Sequence, residues 1–345
     1  MNIPGVINAV GALLIFVAVA LLAPLGIAVL YDSGDAPAFV KTLIVAAVTG
    51  LALFLPTRGR ADPGARDGFG VVTFGWAAVA LIGSLPFILS GAVPSVTDAV
   101  FETMSGFTTT GASILTDIEA LPAGVAFWRC FVQWLGGMGI IVLSLAILPM
   151  LGVGGMQLYA AEAPGPTVEK LTPRIRQTAA LLWSVYLVLS VMEAVALRLA
   201  GMNWYEAACH TFTTMATGGF STRNASIAAY NSPLIEWIII VFMVMAGTNF
   251  ALHWRVRGRP WRFFRDAEWR FYMGIIATFS LIIMAALWLG ESRGLGESIR
   301  VAAFQVVSLV TTTGFATDNY ELWHPALRWI VLLLLFVGGC GGSTG

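Results

Sequence analysis

Three short turns of threonine and glycine recur along this sequence, and their residue types suit the coordination of a cation by backbone oxygens. Aligned on the first glycine of each, the turns are Thr109-Thr110-Gly111, Ala216-Thr217-Gly218 and Thr312-Thr313-Gly314. Glycine allows successive carbonyls to face one way, and a threonine hydroxyl can hold the neighbouring backbone in place. Carbonyls held in this way can replace the water around an ion such as potassium. The turns therefore predict a filter lined by peptide oxygens.

The spacing of the turns strengthens this prediction. Gly218 lies 107 residues after Gly111, and Gly314 lies 96 residues after Gly218. Such a period, about 100 residues, is typical of one folded unit that is repeated. A single Thr-Gly pair usually marks a loop or a tight helix contact, but three copies at matched places favour a filter.

A half-polar segment that is too short to cross a membrane carries each turn. The three segments are residues 98–113, 205–221 and 297–317. A helix that rises about 1.5 Å per residue would reach only partway through the hydrocarbon core. Irregular backbone at that depth persists only where it lines a water-filled cavity or is buried in protein. Three re-entrant segments therefore predict a shared cavity.

The composition is that of a membrane protein. Of the 345 residues, 58% are hydrophobic and 11% are charged, compared with about 25% charged residues in soluble domains. Apolar runs of spanning length cover residues 6–30, 39–55, 69–89, 127–151, 179–200, 234–254, 271–289 and 326 onward. We expect an all-α polytopic membrane protein with repeated helix, pore-loop, helix units around a central pore, with about eight spanning helices and three re-entrant pore helices. The first run is expected to be a retained helix and not a cleaved signal.

The charges predict the orientation in the membrane. Twelve lysines and arginines lie in connections 57–68, 152–178 and 255–270. The alternate connections, residues 31–38, 91–127, 200–233 and 290–325, hold three arginines and eleven acids. Because cytoplasmic loops carry an excess of positive charge, the pore loops should face the periplasm and the N-terminus the cytoplasm. We divide the chain into an N-terminal helix pair (1–56) and three pore repeats (57–151, 152–254 and 255–345).

As a set, the motifs resemble one family, the Trk/Ktr/HKT potassium transporters, and within it the bacterial TrkH type. The stretches that carry the resemblance are ETMSGFTTTGAS (102–113), WLGGMGIIVL (134–143), TMATGGFSTRN (214–224), AGTNFALHW (246–254), TTTGFATDNY (311–320) and GGCGGSTG (338–345). The resemblance implies four pore repeats around one pore, usually in a homodimer in the bacterial inner membrane. It also implies that the nine turn residues given above supply the carbonyls that coordinate the transported K⁺, with no other cofactor.

The glycine-rich stretch at 338–345 resembles the family's intramembrane gating loop. Its residues are Gly338, Gly339, Cys340, Gly341, Gly342, Ser343, Thr344 and Gly345. Five glycines in eight residues do not hold a rigid helix, at about 1 kcal/mol each against alanine. Close packing of small residues is the other interpretation of the same stretch. By resemblance, a TrkA-like cytoplasmic ring of nucleotide-binding subunits would control the pore, and the basic segment 255–270 is a candidate docking surface.

A fourth filter turn is missing from the predicted pattern. Gly345 follows Gly314 by only 31 residues, so Ser343-Thr344-Gly345 cannot be the fourth copy of a period of about 100 residues. We therefore expect the sequence to end inside the gate, without the fourth repeat, and expect that these residues alone do not form a closed fourfold pore.

The predicted function is potassium uptake by a channel-like subunit that is not an enzyme, since no GxxxxGK[ST] or HExxH motif occurs. One alternative is a sodium-permissive carrier of the same fold. Another is an intramembrane enzyme or sensor with Glu102, Glu193 and His210 as its polar centre. We favour a structural hydrogen bond beside the filter for Glu102, and a packed side chain for His210. The role of Glu193, and any symport with protons or sodium, stay open, and nucleic acid is not an expected partner.

Overall fold

The computed structural model describes residues 2–59, 65–139, 175–255, 260–290, 293–341, 343 and 344. In these residues all regular secondary structure is helical and no strand occurs, which confirms the predicted all-α class. The described residues form two compact units, the first made of those up to residue 183 and the second of those from residue 184 onward.

The first unit begins with a pair of long apolar helices. Its helices are α1 (Ile3–Ala20), α2 (Leu22–Leu30), α3 (Ala36–Thr57), α4 (Ala65–Gly83), α5 (Leu85–Leu89), α6 (Val96–Phe107) and α7 (Ala123–Trp134), which continues as a π-helical turn, Leu135–Gly139. Helices α1 and α3 approach closely because Gly11 faces the backbone of Gly50 and Phe54. Asn8 Nδ2 donates to Phe54 O (3.0 Å), which fixes the pair further.

Shorter helices alternate with long ones in the remainder of the chain. These are α8 (Ile175–Leu199), α9 (Trp204–Met215), α10 (Pro233–Ala246), α11 (Phe250–Arg255), α12 (Ala267–Gly290), α13 (Leu295–Val310) and α14 (Pro325–Leu334). Three 3₁₀ turns, Ser226–Tyr230, Pro260–Arg265 and Tyr320–Leu322, connect them. The core of the second unit packs Phe304 and Val307 of α13 against Ile239 and Met243 of α10 and Leu287 of α12.

Five helical segments among the described residues are long and apolar enough to cross a membrane. They are Ile3–Leu30, Ala36–Thr57, Asp67–Leu89, Ala180–Leu199 and Ala267–Gly290. Their outward faces expose large apolar side chains such as Val48, Leu199 and Phe271, as expected of a surface in contact with lipid.

The other predicted spanning runs differ from this pattern. The run at 234–254 is two helices, α10 and α11, because the backbone leaves the helix at Gly247. The run from 326 onward contains only the short helix α14, after which the glycine-rich segment is not helical at its described residues. Part of the run at 127–151 and much of the basic connections fall within 60–64, 140–174 and 256–259, outside the described residues.

The helices that precede the three predicted turns are short, as expected. Helices α6 and α9 have 12 residues each and α13 has 16, so at about 1.5 Å per residue none crosses a core about 30 Å thick. Side chains cap two of them: Ser95 Oγ accepts from Asp98 N, and Asn203 Oδ1 accepts from Glu206 N. These two caps fix the residues at which α6 and α9 begin.

Candidate functional site

Each of the three short helices ends in the same unusual turn. A threonine with a left-handed backbone follows the helix in every case: Thr109 (φ 55°), Thr217 (φ 52°) and Thr312 (φ 59°). Two residues later comes a left-handed glycine, namely Gly111 (φ 74°), Gly219 (φ 71°) and Gly314 (φ 82°). A β-branched residue seldom adopts a positive φ. Three copies of this conformation show that the surrounding structure imposes it, as is common at functional sites.

This pattern corrects the register of the second turn. Alignment on the first glycine paired Gly218 with Gly111 and Gly314, but the left-handed glycine is the next residue, Gly219. The equivalent segment is therefore Thr217-Gly218-Gly219, and Ala216 corresponds to the last residue before the turn. The alignment was one residue early because Gly218 occupies a position where the other turns have a threonine.

Backbone hydrogen bonds repeat in the same register. Thr110 N and Gly111 N donate to Ser105 O (2.9 and 3.5 Å). Gly218 N and Gly219 N donate to Thr213 O (2.9 and 3.3 Å), and Gly314 N donates to Ser308 O (3.2 Å). The amides of each turn thus fold back onto the end of its own helix.

The direction of the amides fixes the direction of the carbonyls. In a trans peptide the N–H and the C=O point to opposite sides. Each amide described above shares its peptide unit with the carbonyl of the residue before it. These carbonyls therefore point away from the helix ends, and they belong to Thr109, Thr110, Thr217, Gly218 and Thr313. The C-terminal ends of the helices behind these carbonyls favour a cation near them.

Hydroxyl groups brace the first and third turns in matching ways. Ser105 Oγ donates to Ala112 O (2.6 Å), and Ser308 Oγ donates to Phe315 O (2.7 Å). Threonine hydroxyls are also paired across each turn, with Thr108 Oγ1 and Thr110 Oγ1 at 2.8 Å and Thr311 Oγ1 and Thr313 Oγ1 at 2.8 Å. Thr108 Oγ1 and Thr311 Oγ1 also donate to the backbone of their own helices, to Met104 O (2.7 Å) and Val307 O (2.8 Å).

The second and third turns are in direct contact within the second unit. A Cβ at Gly219 would overlap the carbonyl oxygen of Thr313. Ala228 N donates to Ala316 O (3.2 Å), and Ala316 N donates to Ser226 Oγ (3.3 Å). The segments that follow the two turns are therefore tied together, and the two turns converge.

A buried ion pair supports the turn in the first unit. Arg129 Nε of α7 lies 2.6 Å from Glu102 Oε1 of α6, and the two side chains are 2% and 0% exposed. Glu102 also accepts from Ser113 Oγ (2.9 Å) and from Ile114 N (3.1 Å), both in the segment after the turn. Glu102 is thus the structural hydrogen-bonding group that the sequence predicted.

The polar centre of an intramembrane enzyme is not assembled within either unit. Glu102 belongs to the first unit, whereas Glu193 and His210 belong to the second. Over the part of the chain that the structure describes, no group of His, Cys, Asp or Glu side chains is placed to hold a metal ion. Glu193 is completely buried in α8, and its role stays open.

The glycine-rich segment lies against the ends of two helices in the second unit. Cys340 N donates to Gly247 O (2.8 Å), and Thr344 Oγ1 donates to Met215 O (3.0 Å) and Ala246 O (3.2 Å). These bonds satisfy carbonyls that a helix C-terminus leaves without an intrahelical partner. Met215 is the last residue of α9, so the segment reaches the base of the second turn. Gly342 and Gly345 lie outside the described residues.

One further bond connects this segment to the start of a spanning helix. Gly341 N donates to Glu268 Oε1 (2.6 Å) in the first turn of α12. Sequence reasoning missed Glu268, and no local signal could have found it, because the two residues are 73 positions apart. Gly219 was missed although its signal, a second glycine directly after Gly218, was visible.

Three comparisons with known proteins agree with one another. Residues 36–345 match the model of a family described as TrkH, cation transport protein. The chain is 44% identical to the Trk system potassium uptake protein TrkH of Halomonas elongata and 43% identical to that of Escherichia coli K12, in each case across 100% of this chain and 73% of the relative. The crystal structure of the potassium transporter TrkH from Vibrio parahaemolyticus superimposes with a TM-score of 0.88, at 39% identity, over 100% of this chain and 72% of that one.

Proposed function

This chain belongs to the TrkH family of cation transport proteins, and on that premise we propose that it is the channel-like, pore-forming subunit of a Trk-type potassium uptake system. The relatives named above are potassium uptake proteins, which favours a transporter over an enzyme. The transported ion would be K⁺, and no other cofactor is required by the mechanism.

The main support for this proposal is that the same turn occurs three times, with carbonyls that point away from the end of the helix before it. The proposed filter residues are Thr109, Thr110, Gly111, Ala216, Thr217, Gly218, Thr312, Thr313 and Gly314, to which the register of the second turn adds Gly219. Rings of backbone carbonyls replace the hydration shell of potassium without any charged side chain. The left-handed threonines cost conformational energy that a plain loop would not need, which favours a functional reason for them.

The same family assignment supports further proposals on location and partners. The protein would lie in the bacterial inner membrane as a homodimer, in contact with lipid, with its pore loops toward the periplasm and its N-terminus in the cytoplasm. Its basic residues around α12, such as Arg265 and Arg270, would dock a TrkA-like nucleotide-binding ring by charge complementarity.

Ion flux in liposomes tests the proposed function. The full product of the gene, purified and reconstituted, should take up Rb⁺, as a tracer for K⁺, at least about tenfold faster than Na⁺, which corresponds to about 1.4 kcal/mol of discrimination. Equal fluxes of Rb⁺ and Na⁺ would support the sodium-permissive carrier instead. Liposomes with protein that pass neither ion would contradict transport altogether.

The glycine-rich segment is proposed as the gate. Its bonds to Met215 and Ala246 place it at the base of the second turn, and its glycines allow it to change conformation at low cost. Glu268 holds it through one backbone amide, and Glu268 itself lies in the basic segment 255–270, at the start of α12. A partner that binds Arg270 would therefore contact α12 two residues after the residue that holds the gate.

Removing this hold should increase the ion flux. We expect Glu268→Ala to raise Rb⁺ flux in the absence of any partner by about fivefold, the factor for about 1 kcal/mol, because a charge-assisted hydrogen bond that keeps the segment in place is lost. Glu268→Gln retains an acceptor oxygen and should stay close to the parent. A flux in Glu268→Ala equal to that of the parent would show that this bond does not hold the gate.

A further inference from the structure

A buried polar side chain occupies the same register in all three short helices. Glu102, His210 and Gln305 each lie nine residues before the left-handed glycine of their turn, which is Gly111, Gly219 or Gly314. All three are buried, with exposures of 0%, 0% and 2%. When the second turn is aligned on Gly218 instead of Gly219, Glu102 pairs with Cys209, and its equivalence with His210 is not seen.

The three side chains make the same kind of contact. Each bonds to the segment that leads away from its own turn: Glu102 to Ser113, His210 Nε2 to Ser221 Oγ (3.1 Å), and Gln305 Nε2 to Asp318 O (3.0 Å). Ser113 and Ser221 are also equivalent, since each lies two residues after its left-handed glycine. Each side chain therefore forms a strut between the helix before the turn and the segment after it.

The hydrogen bonds of His210 define which of its nitrogens carries the proton. Nδ1 lies 2.8 Å from Glu206 O, and because a carbonyl oxygen only accepts, Nδ1 is the donor. In the neutral ring Nε2 is then an acceptor for the hydroxyl of Ser221. Ser221 Oγ also accepts from Arg223 N (3.0 Å).

His210 also connects the second turn to the third. Its ring lies 6.0 Å from the ring of Phe315, the residue directly after Gly314, and 5.3 Å from the ring of Tyr230. Without the imidazole acceptor, the Ser221 hydroxyl would lose the bond that ties it to α9, and the segment after Gly219 would be freer to move. Such a movement would act on both turns, because Gly219 packs on Thr313 O.

We propose that His210 is a positioning residue for ion selectivity, which sets the carbonyl spacing of the second turn through Ser221, as Glu102 and Gln305 do for the other two turns. The inference rests on the proposed function, since it assumes that the turns select potassium. The side chain does not touch the ion; it acts through the backbone whose carbonyls would do so, and discrimination between K⁺ and Na⁺ depends on how those carbonyls are held.

The test compares Rb⁺ and Na⁺ uptake by the full protein in liposomes for His210→Leu and His210→Gln. We expect His210→Leu to lower the Rb⁺ to Na⁺ uptake ratio about tenfold. His210→Gln, whose amide oxygen can accept from Ser221, should stay within about twofold of the parent. The control is His324→Leu, the same substitution at an exposed residue before α14, and it should keep the parent's ratio.

Three results with the variants would overturn the inference alone. An unchanged ratio in His210→Leu would show that the strut does not affect selectivity, and an equal loss in His210→Gln would show that the acceptor is not the reason. If His210→Leu does not fold, Ser221→Ala is tested in its place, because it removes the partner hydroxyl and should lower the Rb⁺ to Na⁺ uptake ratio about threefold. An unchanged ratio in Ser221→Ala is the third result that would overturn the inference. A parent protein with no preference for Rb⁺ over Na⁺ would overturn both this inference and the proposed function. If the parent and the variants all prefer Rb⁺ to the same degree, only this inference is overturned.

Discussion

Gly219→Ala is expected to abolish detectable Rb⁺ uptake. The new methyl group would overlap the carbonyl oxygen of Thr313, and the left-handed backbone at φ 71° opposes any side chain at this position. The atom in the way is backbone, so it cannot rotate aside, and one of the two turns must shift. The carbonyls of both turns would then leave their positions, which removes the geometry that replaces the ion's water. Tracer uptake into liposomes measures the loss.

The control for this variant is Gly274→Ala in α12. Gly274 is also a glycine of the second unit, but a Cβ there meets no atom of the described structure within 4 Å. Because alanine is also a better helix former than glycine by about 1 kcal/mol, uptake should be preserved and the melting temperature should not fall. Uptake by Gly219→Ala at the parent's rate would show that the contact between the second and third turns is not needed.

Arg129→Leu is expected to cause the largest loss of stability. It would leave the carboxylate of Glu102 buried at 0% exposure without its cation, and removing one partner of a buried pair costs about 3–5 kcal/mol. The segment after the first turn should loosen as well, because Glu102 also holds Ser113 and Ile114. Thermal unfolding in detergent, followed by size-exclusion chromatography, measures the effect.

The pair between Arg223 and Glu206 provides a matched comparison. Its atoms are equally close, at 2.6 Å, but its side chains are 41% and 11% exposed, so Arg223→Leu should cost no more than about 1 kcal/mol. The double variant Glu102→Gln, Arg129→Gln should be more stable than Arg129→Leu, because neither side chain carries a charge. If Arg129→Leu and Arg223→Leu lower the melting temperature equally, burial does not determine how much each ion pair contributes to stability.

The recurring turns were visible in the sequence because their requirements are local. A threonine and a glycine two positions apart, after a short half-polar helix, adopt the same conformation at three places. The apolar runs likewise predicted most of the long helices, since burial in lipid demands about 20 apolar residues in a row. The second turn was misaligned because either of two successive glycines, Gly218 and Gly219, could adopt the left-handed conformation, and only Gly219 does so.

The break in the run at 234–254 shows where a composition argument fails. Most of the residues in this run are apolar, so hydropathy predicts one continuous helix. The backbone instead leaves the helix at Gly247, and the carbonyls of Ala246 and Gly247 accept from Thr344 and Cys340. Those donors lie more than ninety residues away in the chain, and no window of sequence contains both halves of the bond.

The sequence by itself determined the helical membrane fold, the three filter-like turns and the family resemblance, because each depends on neighbouring residues whose conformational preferences act over one or two turns of chain. The tertiary structure decided which glycine faces Thr313, which arginine neutralises Glu102, and that His210 and Gln305 are counterparts of Glu102. These depend on the distances between segments that are far apart in the chain. Such distances are set by the packing of whole helices, where a shift of a single residue exchanges one partner for another.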